Sequence, residues 1–369
     1  MRFSRSLLPT LYLVLCALGA LGFDWPVEDP VLMSTFGQRR QGCFFAGIDL
    51  GGGEQPVFPI ADGELVFHGS EEGRFHSLKR GNGTFVVLQH EGRIRSVYSH
   101  LGRDSARTDA RLFTARPERI AAEVLEKSIL NKIEDPAGKE AVLEGFQREG
   151  EAYTLRPGIG ADRRKRIWMI LSDVGFIRTV GFSGDTGLSE GTHVSLMIID
   201  HEEGTILNPI KKDKPPLRPV FQAGSGDADG RSRGPVIEAV YLKRGREIIE
   251  LTGGMSTPSG TVEILARIYD RSDALSFSRN LAPYRLYLSD TGRSVSTLVF
   301  DALREGDGRL VLAHTDLNCD DIYYDDWIYR LGTLNLVQGG GRIQIRAEDF
   351  LGRESSVEIP VRVSSEKDE

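Results

Sequence analysis

The stretch VGFSGDTGLSEGTHVSLMIID, Val180 to Asp200, constrains this chain more than any other. Two glycine-rich turns lead into a run that alternates. His193, Ser195 and Met197 fall on one face, and Val194, Leu196 and Ile198 on the other. Side chains point to opposite sides along a strand, so this pattern predicts a strand with one buried face. His193 stands beside a glycine-rich rim, as a site residue does. Ser195 holds the next position on the same face, where a second site residue is expected.

Similar short runs fill much of the chain. QPVFPIADGELVFHG predicts strand, turn and strand, with Asp62-Gly63 as the hairpin turn. KRGNGTFVVLQHEGRIRSVYSHL predicts a turn at Gly81 to Gly83, a strand from Phe85 to Gln89 and a return strand from Ile94 to Ser99. Residues 24–101 therefore read as an antiparallel sheet of hairpins. From about Arg103 to Arg166 the period changes. Ala122, Leu125, Ile129 and Ile133 recur at helical spacing, and Asp135-Pro136 opens a second helix through Phe146. GIGADRRKR reads as a basic loop, and a strand pattern resumes at Ile167. Residues 103–166 are thus a helical insertion between strands of one sheet.

Lys211 to Pro219 reads as a stiff, solvated linker. Beyond it, short strands recur at even spacing: 236–242, 248–251, 261–269, 284–288, 296–300, 327–331, 341–347 and 356–363. That spacing predicts a sandwich, and the closing hairpin resembles that of an immunoglobulin-like domain, a likeness that carries no function. The acidic stretch Asp316 to Trp327 lacks the spacing of a calcium loop and reads as a solvated face. The fold class is mainly β. The expected division is a leader over 1–22, a first domain over 23–210, the linker over 211–219 and an immunoglobulin-like β-sandwich over 220–365.

The leader carries Arg2 and Arg5, an apolar run from Leu7, and Ala20 and Gly22 before Phe23. This is a signal-peptide pattern, and it predicts export to the periplasm or cell envelope. Cys16 leaves a lipid anchor open, and the run itself an uncleaved one; no other membrane attachment is expected. The formal net charge is −7, which disfavours a nucleic-acid partner. Cys43 and Cys319 fall in different predicted halves and read as free or buried thiols.

An ordered series of motifs then resembles the LytM/lysostaphin-type zinc metallopeptidases, which cut peptide cross-links in bacterial cell walls. The series runs WPV with STFGQR, AGIDLGG, PVFPIADGELVFHG, GNGTFVVLQHEGR, YSHL, GFSGDTG, GTHVSLMI and ILNPI, over about 25–102 and 167–210. The resemblance implies a LytM-like antiparallel sheet. It also implies a zinc held by the His and Asp of a His-x-x-x-Asp motif and by the second His of His-x-His. Here Asp49 keeps its ligand position, but Phe45 and Ser195 replace the two histidines. The assistant histidines remain as His100 and His193.

Phenylalanine has no lone pair to give, and a neutral hydroxyl is a poor zinc ligand beside imidazole or carboxylate. Without zinc there is no low-pKa water to attack. The expectation is therefore no cofactor and an inactive domain that binds peptidoglycan or regulates a cell-wall hydrolase. The alternative is a divergent zinc metalloendopeptidase, its ligands rebuilt from Cys43, His68, His76 or His90.

Overall fold

The computed structural model describes residues 23–40, 43–69, 79–103, 105, 111–187, 191–211, 216–217, 234–272 and 279–364. The signal pattern, Cys16 and His76 lie outside them. Strands dominate, and the fold is mainly β with nearly every pairing antiparallel.

The chain opens with β1 (Val31–Ser34), β2 (Arg39–Arg40), β3 (Cys43–Phe44), β4 (Ile48–Gly51) and β5 (Pro56–Val57). Next come β6 (Gly63–Gly69), the helical turn α1 (Lys79–Asn82), β7 (Thr84–His90) and β8 (Ile94–Leu101). The following segment holds β9 (Leu112–Phe113), β10 (Arg119–Ala121), α2 (Pro136–Gly145), β11 (Phe146–Glu149), β12 (Ala152–Leu155) and α3 (Ala161–Asp173). β13 (Gly181–Phe182), β14 (Val194–Asp200) and β15 (Thr205–Leu207) complete this half.

β14 is the axis of the main sheet. It pairs with β8 on one side and with β4 and β15 on the other. Val194, Leu196 and Ile198 are buried, as the alternation predicts, and pack with Ile48, Leu50, Val86, Leu88 and Tyr98. Burying such side chains, at about 1.5–3 kcal/mol each, holds the sheet together. The β7–β8 hairpin forms as the sequence indicates.

Four expectations need correction. The Asp62-Gly63 hairpin does not form, because β5 pairs with β13 and β6 pairs with β7. The Val180 amide donates to the Val57 carbonyl and the Ser183 amide to the Gln55 carbonyl, so β5 is taken by a distant turn. Gly81 to Gly83 is not a hairpin turn but the end of α1, with Gly83 in the left-handed region at φ 58°. The strand expected from Ile167 is helix. Ile167, Trp168 and Leu171 share one buried face of α3, and a short apolar run such as IWMIL fits either period. The expected linker lies largely outside the described residues, but its Leu217 is buried in the first core rather than solvated.

The insertion has its own core of Leu125, Ile129, Val142, Ile167 and Leu171, packed on Phe58. Asp135 caps α2 as predicted, accepting from the Ala137 and Gly138 amides. A three-stranded sheet, β10–β12–β11, was not visible in the helical periodicity. Arg116 and Arg164 tie the insertion down on the partly buried Glu28.

The second half holds β16 (Val236–Arg244), β17 (Glu247–Glu250), β18 (Ser256–Pro258), β19 (Gly260–Ser272) and β20 (Arg279–Leu281). It continues with β21 (Arg285–Asp290), β22 (Arg293–Val299), β23 (Ala302–Gly306), β24 (Arg309–Leu312) and the short helix α4 (Cys319–Ile322). β25 (Tyr323–Asp325), β26 (Ile328–Leu336), β27 (Gly339–Glu348) and β28 (Glu354–Ser364) end it. Two sheets, β17–β16–β19–β26–β25 and β18–β28–β27–β21–β22, face a common core. In the acidic stretch Asp320 pairs with Arg309 and Asp326 with Arg39, so its carboxylates face arginines.

The halves are joined in two ways. β23 pairs with β15, which extends the main sheet into the second half. In addition, Phe36, Phe44 and Ala46 sit in the sandwich core. Phe44 meets Phe300 and Tyr323 edge-on, and Tyr323 donates its hydroxyl to the Gly37 carbonyl at 2.8 Å. Gly37, at φ 82°, must be glycine, because a Cβ there would lie 2.3 Å from the Phe300 ring.

Candidate functional site

The register of three strands brings the predicted residues together. Ser195 on β14 lies opposite Asp49 on β4 and Ser99 on β8. His100, next to last in β8, lies in the left-handed region at φ 61°, uncommon for a residue with a side chain. His193 immediately precedes β14. Gly184 links both histidine backbones: its amide donates to the His100 and His193 carbonyls, and its carbonyl accepts from the His193 amide. A Cβ on Gly184 would lie 2.6 Å from the Gly102 nitrogen, so the close approach requires glycine.

The turn GFSGDTG is fastened to its neighbours. Thr186 Oγ1 accepts from the Thr84 amide at 2.9 Å and donates to the Leu101 carbonyl at 2.7 Å. The Thr186 carbonyl accepts from His100 Nδ1 at 2.6 Å, and the Gly191 carbonyl from His193 Nδ1 at 2.8 Å. With Nδ1 donating, the neutral form of either ring would carry its lone pair on Nε2. The rings stand 4.6 Å apart, and His193 Nε2 is 3.8 Å from Asp49 Oδ1. Burial holds His100 below the usual histidine range; the His193 and Arg40 charges push the same way, against the Thr186 hydrogen bond and Asp49.

Asp49 is satisfied by the chain itself. Ser195 Oγ donates to its Oδ1, and Arg40 Nη2 donates to its Oδ2. Arg40 Nη2 also donates to Ser34 Oγ at 2.5 Å. The guanidinium lies over the Phe45 ring, 3.8 Å from its centroid. This arrangement pairs cation–π stacking with a charge-assisted hydrogen bond. Asp49, His100, His193 and Ser195 are only 4%, 5%, 6% and 8% exposed. Arg40, with a side chain 38% exposed, and the half-buried Phe45 therefore form the outer layer over a closed polar cluster.

These residues do not fit the zinc that the resemblance implies. Phe45 offers a ring face, Ser195 gives its proton to Asp49, and a guanidinium holds the other carboxylate oxygen. A divalent ion next to that fixed positive charge would be repelled, and it would find a carboxylate whose two oxygens are already engaged.

The alternative ligands do not converge either. Cys43 is exposed on β3, in register with Arg40, but Asp49's carboxylate is held by Arg40 and Ser195. His68 is exposed on β6. His90 is buried elsewhere, with Nδ1 on the Asp62 carbonyl and Nε2 on Ser96 Oγ. Among the described residues no group of three His, Cys, Asp or Glu side chains is placed to hold a metal.

Arg40 and Ser34 are the site residues that the sequence reading missed. One signal for a cation was present: a carboxylate on a core strand, with phenylalanine and serine at the neighbouring positions, needs a positive neighbour, and Arg39 and Arg40 lie just upstream. Beside the site, Glu54, Arg103, Arg178 and Phe182 line a cleft of about 640 Å³ between the end of α3 and the GFSGDTG turn.

A family model matches residues 234–364 and describes no activity. No curated protein matches the chain. Solved structures similar to it include the catalytic domain of the M23 protein EnpA from Enterococcus faecalis, at 16% identity over 49% of this chain and 88% of that one, TM-score 0.28. The lysostaphin catalytic domain from Staphylococcus simulans is 15% identical over 45% of this chain and 77% of its own, TM-score 0.23. Whole lysostaphin is 11% identical over 92% and 100%, TM-score 0.27.

Proposed function

We propose that the first half is a LytM-like domain that has exchanged its metal for an internal cation and binds rather than cuts. On this reading the chain is an exported protein of the periplasm or cell envelope. It recognises the peptide of peptidoglycan or docks on a cell-wall hydrolase to regulate it. The observation that carries the reading is Asp49 held between Ser195 and Arg40, with Arg40 stacked on Phe45. The ordered motifs supply the family. The cleft along Arg178 and Phe182 is the place for a peptide, with charged and apolar walls suited to one.

The test has two arms. The purified chain is analysed for zinc and incubated with insoluble peptidoglycan. The expected result is sedimentation with the wall, no released peptide and no bound zinc. Stoichiometric zinc with chelator-sensitive cleavage would establish a divergent metalloendopeptidase instead. The specific feature favouring that second reading is the pair of buried imidazoles, each oriented through Nδ1, beside Asp49.

A further inference from the structure

Cys43 and Cys319 are 276 positions apart in sequence, yet the fold brings their elements together. β3 lies against α4, with residues of the two elements within 8 Å, Cα to Cα. Both cysteines line one open cleft of about 480 Å³, together with Glu305, Gly308 and Arg309 of the β23–β24 hairpin. Their neighbours are already locked: Phe44 packs edge-on against Tyr323 in the sandwich core. Both thiols are free in this structure. Cys43 is exposed and Cys319 is 4% exposed. Burial pushes the Cys319 thiol up to about 11, and the nearby Cys43 sulfur pushes the same way, against Arg39.

We propose that Cys43 and Cys319 are the two halves of a disulfide that staples the β2–β3 hairpin to the second half of the molecule. Residues of the two elements approach within 8 Å, Cα to Cα, whereas a disulfide spans at most about 7 Å, so the bond calls for a rotamer change and a shift of the exposed two-residue strand. The oxidant is an external disulfide, of either a dithiol oxidase or a small-molecule carrier. The Cys43 thiol, the accessible one, loses its proton and attacks a carrier sulfur. A mixed disulfide forms, and the first carrier thiolate leaves and takes up that proton. Cys319 then loses its proton and attacks Cys43 Sγ, which releases the second carrier thiolate to be protonated. One disulfide is reduced to two thiols while two protein thiols become one disulfide, so electrons and protons balance. The burial of Cys319 makes the second step the slow one, since only the thiolate attacks. The cross-link fixes the hairpin that carries Arg40, and it is independent of whether the site binds peptidoglycan.

The test uses the full chain carrying Cys16→Ser, reduced and then equilibrated in glutathione buffers of increasing oxidised fraction. Acid quenching, alkylation after denaturation, non-reducing electrophoresis and peptide mapping read the outcome. The expected result is a monomer that loses both alkylatable thiols together and yields one linked peptide joining Cys43 to Cys319. Its melting temperature should exceed that of the reduced form. The exposed Cys43→Ser change should abolish that rise and leave the circular dichroism spectrum unchanged. The proposal fails if both thiols stay alkylatable in excess oxidised glutathione. It also fails if Cys43 stops at the glutathione adduct, or if only cross-linked dimers form.

Discussion

The single residue that most changes the chemistry here is Arg40, because it supplies the positive charge beside buried Asp49. Removing it by Arg40→Ala leaves Asp49 buried with one hydroxyl donor. Arg40 is more than a third exposed, so the expected loss is about 1–3 kcal/mol rather than the larger cost of a fully buried pair. Urea unfolding measures it, and Arg40→Lys should recover only part of the loss, since lysine keeps the charge but not the planar stack. Placing histidines at both positions by Phe45→His with Ser195→His should give little zinc, because the guanidinium still holds Asp49. Adding Arg40→Ala should then give near-stoichiometric metal by elemental analysis. Zinc loading of the double variant to the same level would show that Arg40 is no barrier. Burial holds His90 and His100 below the histidine reference of 6.5. Below that pH the unfolded chain takes up protons that the native rings resist. The stability they contribute is therefore complete above about pH 6.5 and falls as pH drops toward the folded values. Unfolding curves at mildly acidic and neutral pH should show the decline.

At the scale of elements, the turn GFSGDTG is the keystone of the site. Gly187 sits at φ 77°, and a Cβ there would lie 2.4 Å from the Gly83 nitrogen. Gly187→Ala should therefore cost well over about 1 kcal/mol and shift the His100 environment, visible in its imidazole NMR signals. An unchanged spectrum and midpoint would show that the turn is not needed to orient that ring. This element was legible in advance from its glycine spacing, and the shared face of His193 and Ser195 from strand alternation, which are local signals; Asp49 and His100 were singled out only through the resemblance to the peptidase family. The pairing of β5 with β13 was not, since the decisive hydrogen bonds join residues over a hundred positions apart. Nor was α3, whose IWMIL run has no local feature that separates helix from strand until the insertion's core is present. Arg40 escaped notice for a similar reason: nothing near it in sequence reveals which carboxylate it meets.

At the scale of the molecule, the two halves share both backbone and core. Phe44 belongs by sequence to the first half and by packing to the second. Phe44→Ala should cost about 3–5 kcal/mol, as for a buried aromatic, and should release the hairpin that bears Arg40. Calorimetry of the whole chain should show one cooperative transition, whereas two well-separated peaks would mean that the junction contributes little. The ladder between Thr205–Leu207 and Ala302–Arg304 also limits how such a protein can be recombined. A chimaera cut anywhere in 211–219 would strip the partner from one side of Thr205–Leu207 and leave a bare strand edge ready to pair with another molecule. A graft that keeps the N-terminal half monomeric has to bring Ala302 to Leu312 along with it.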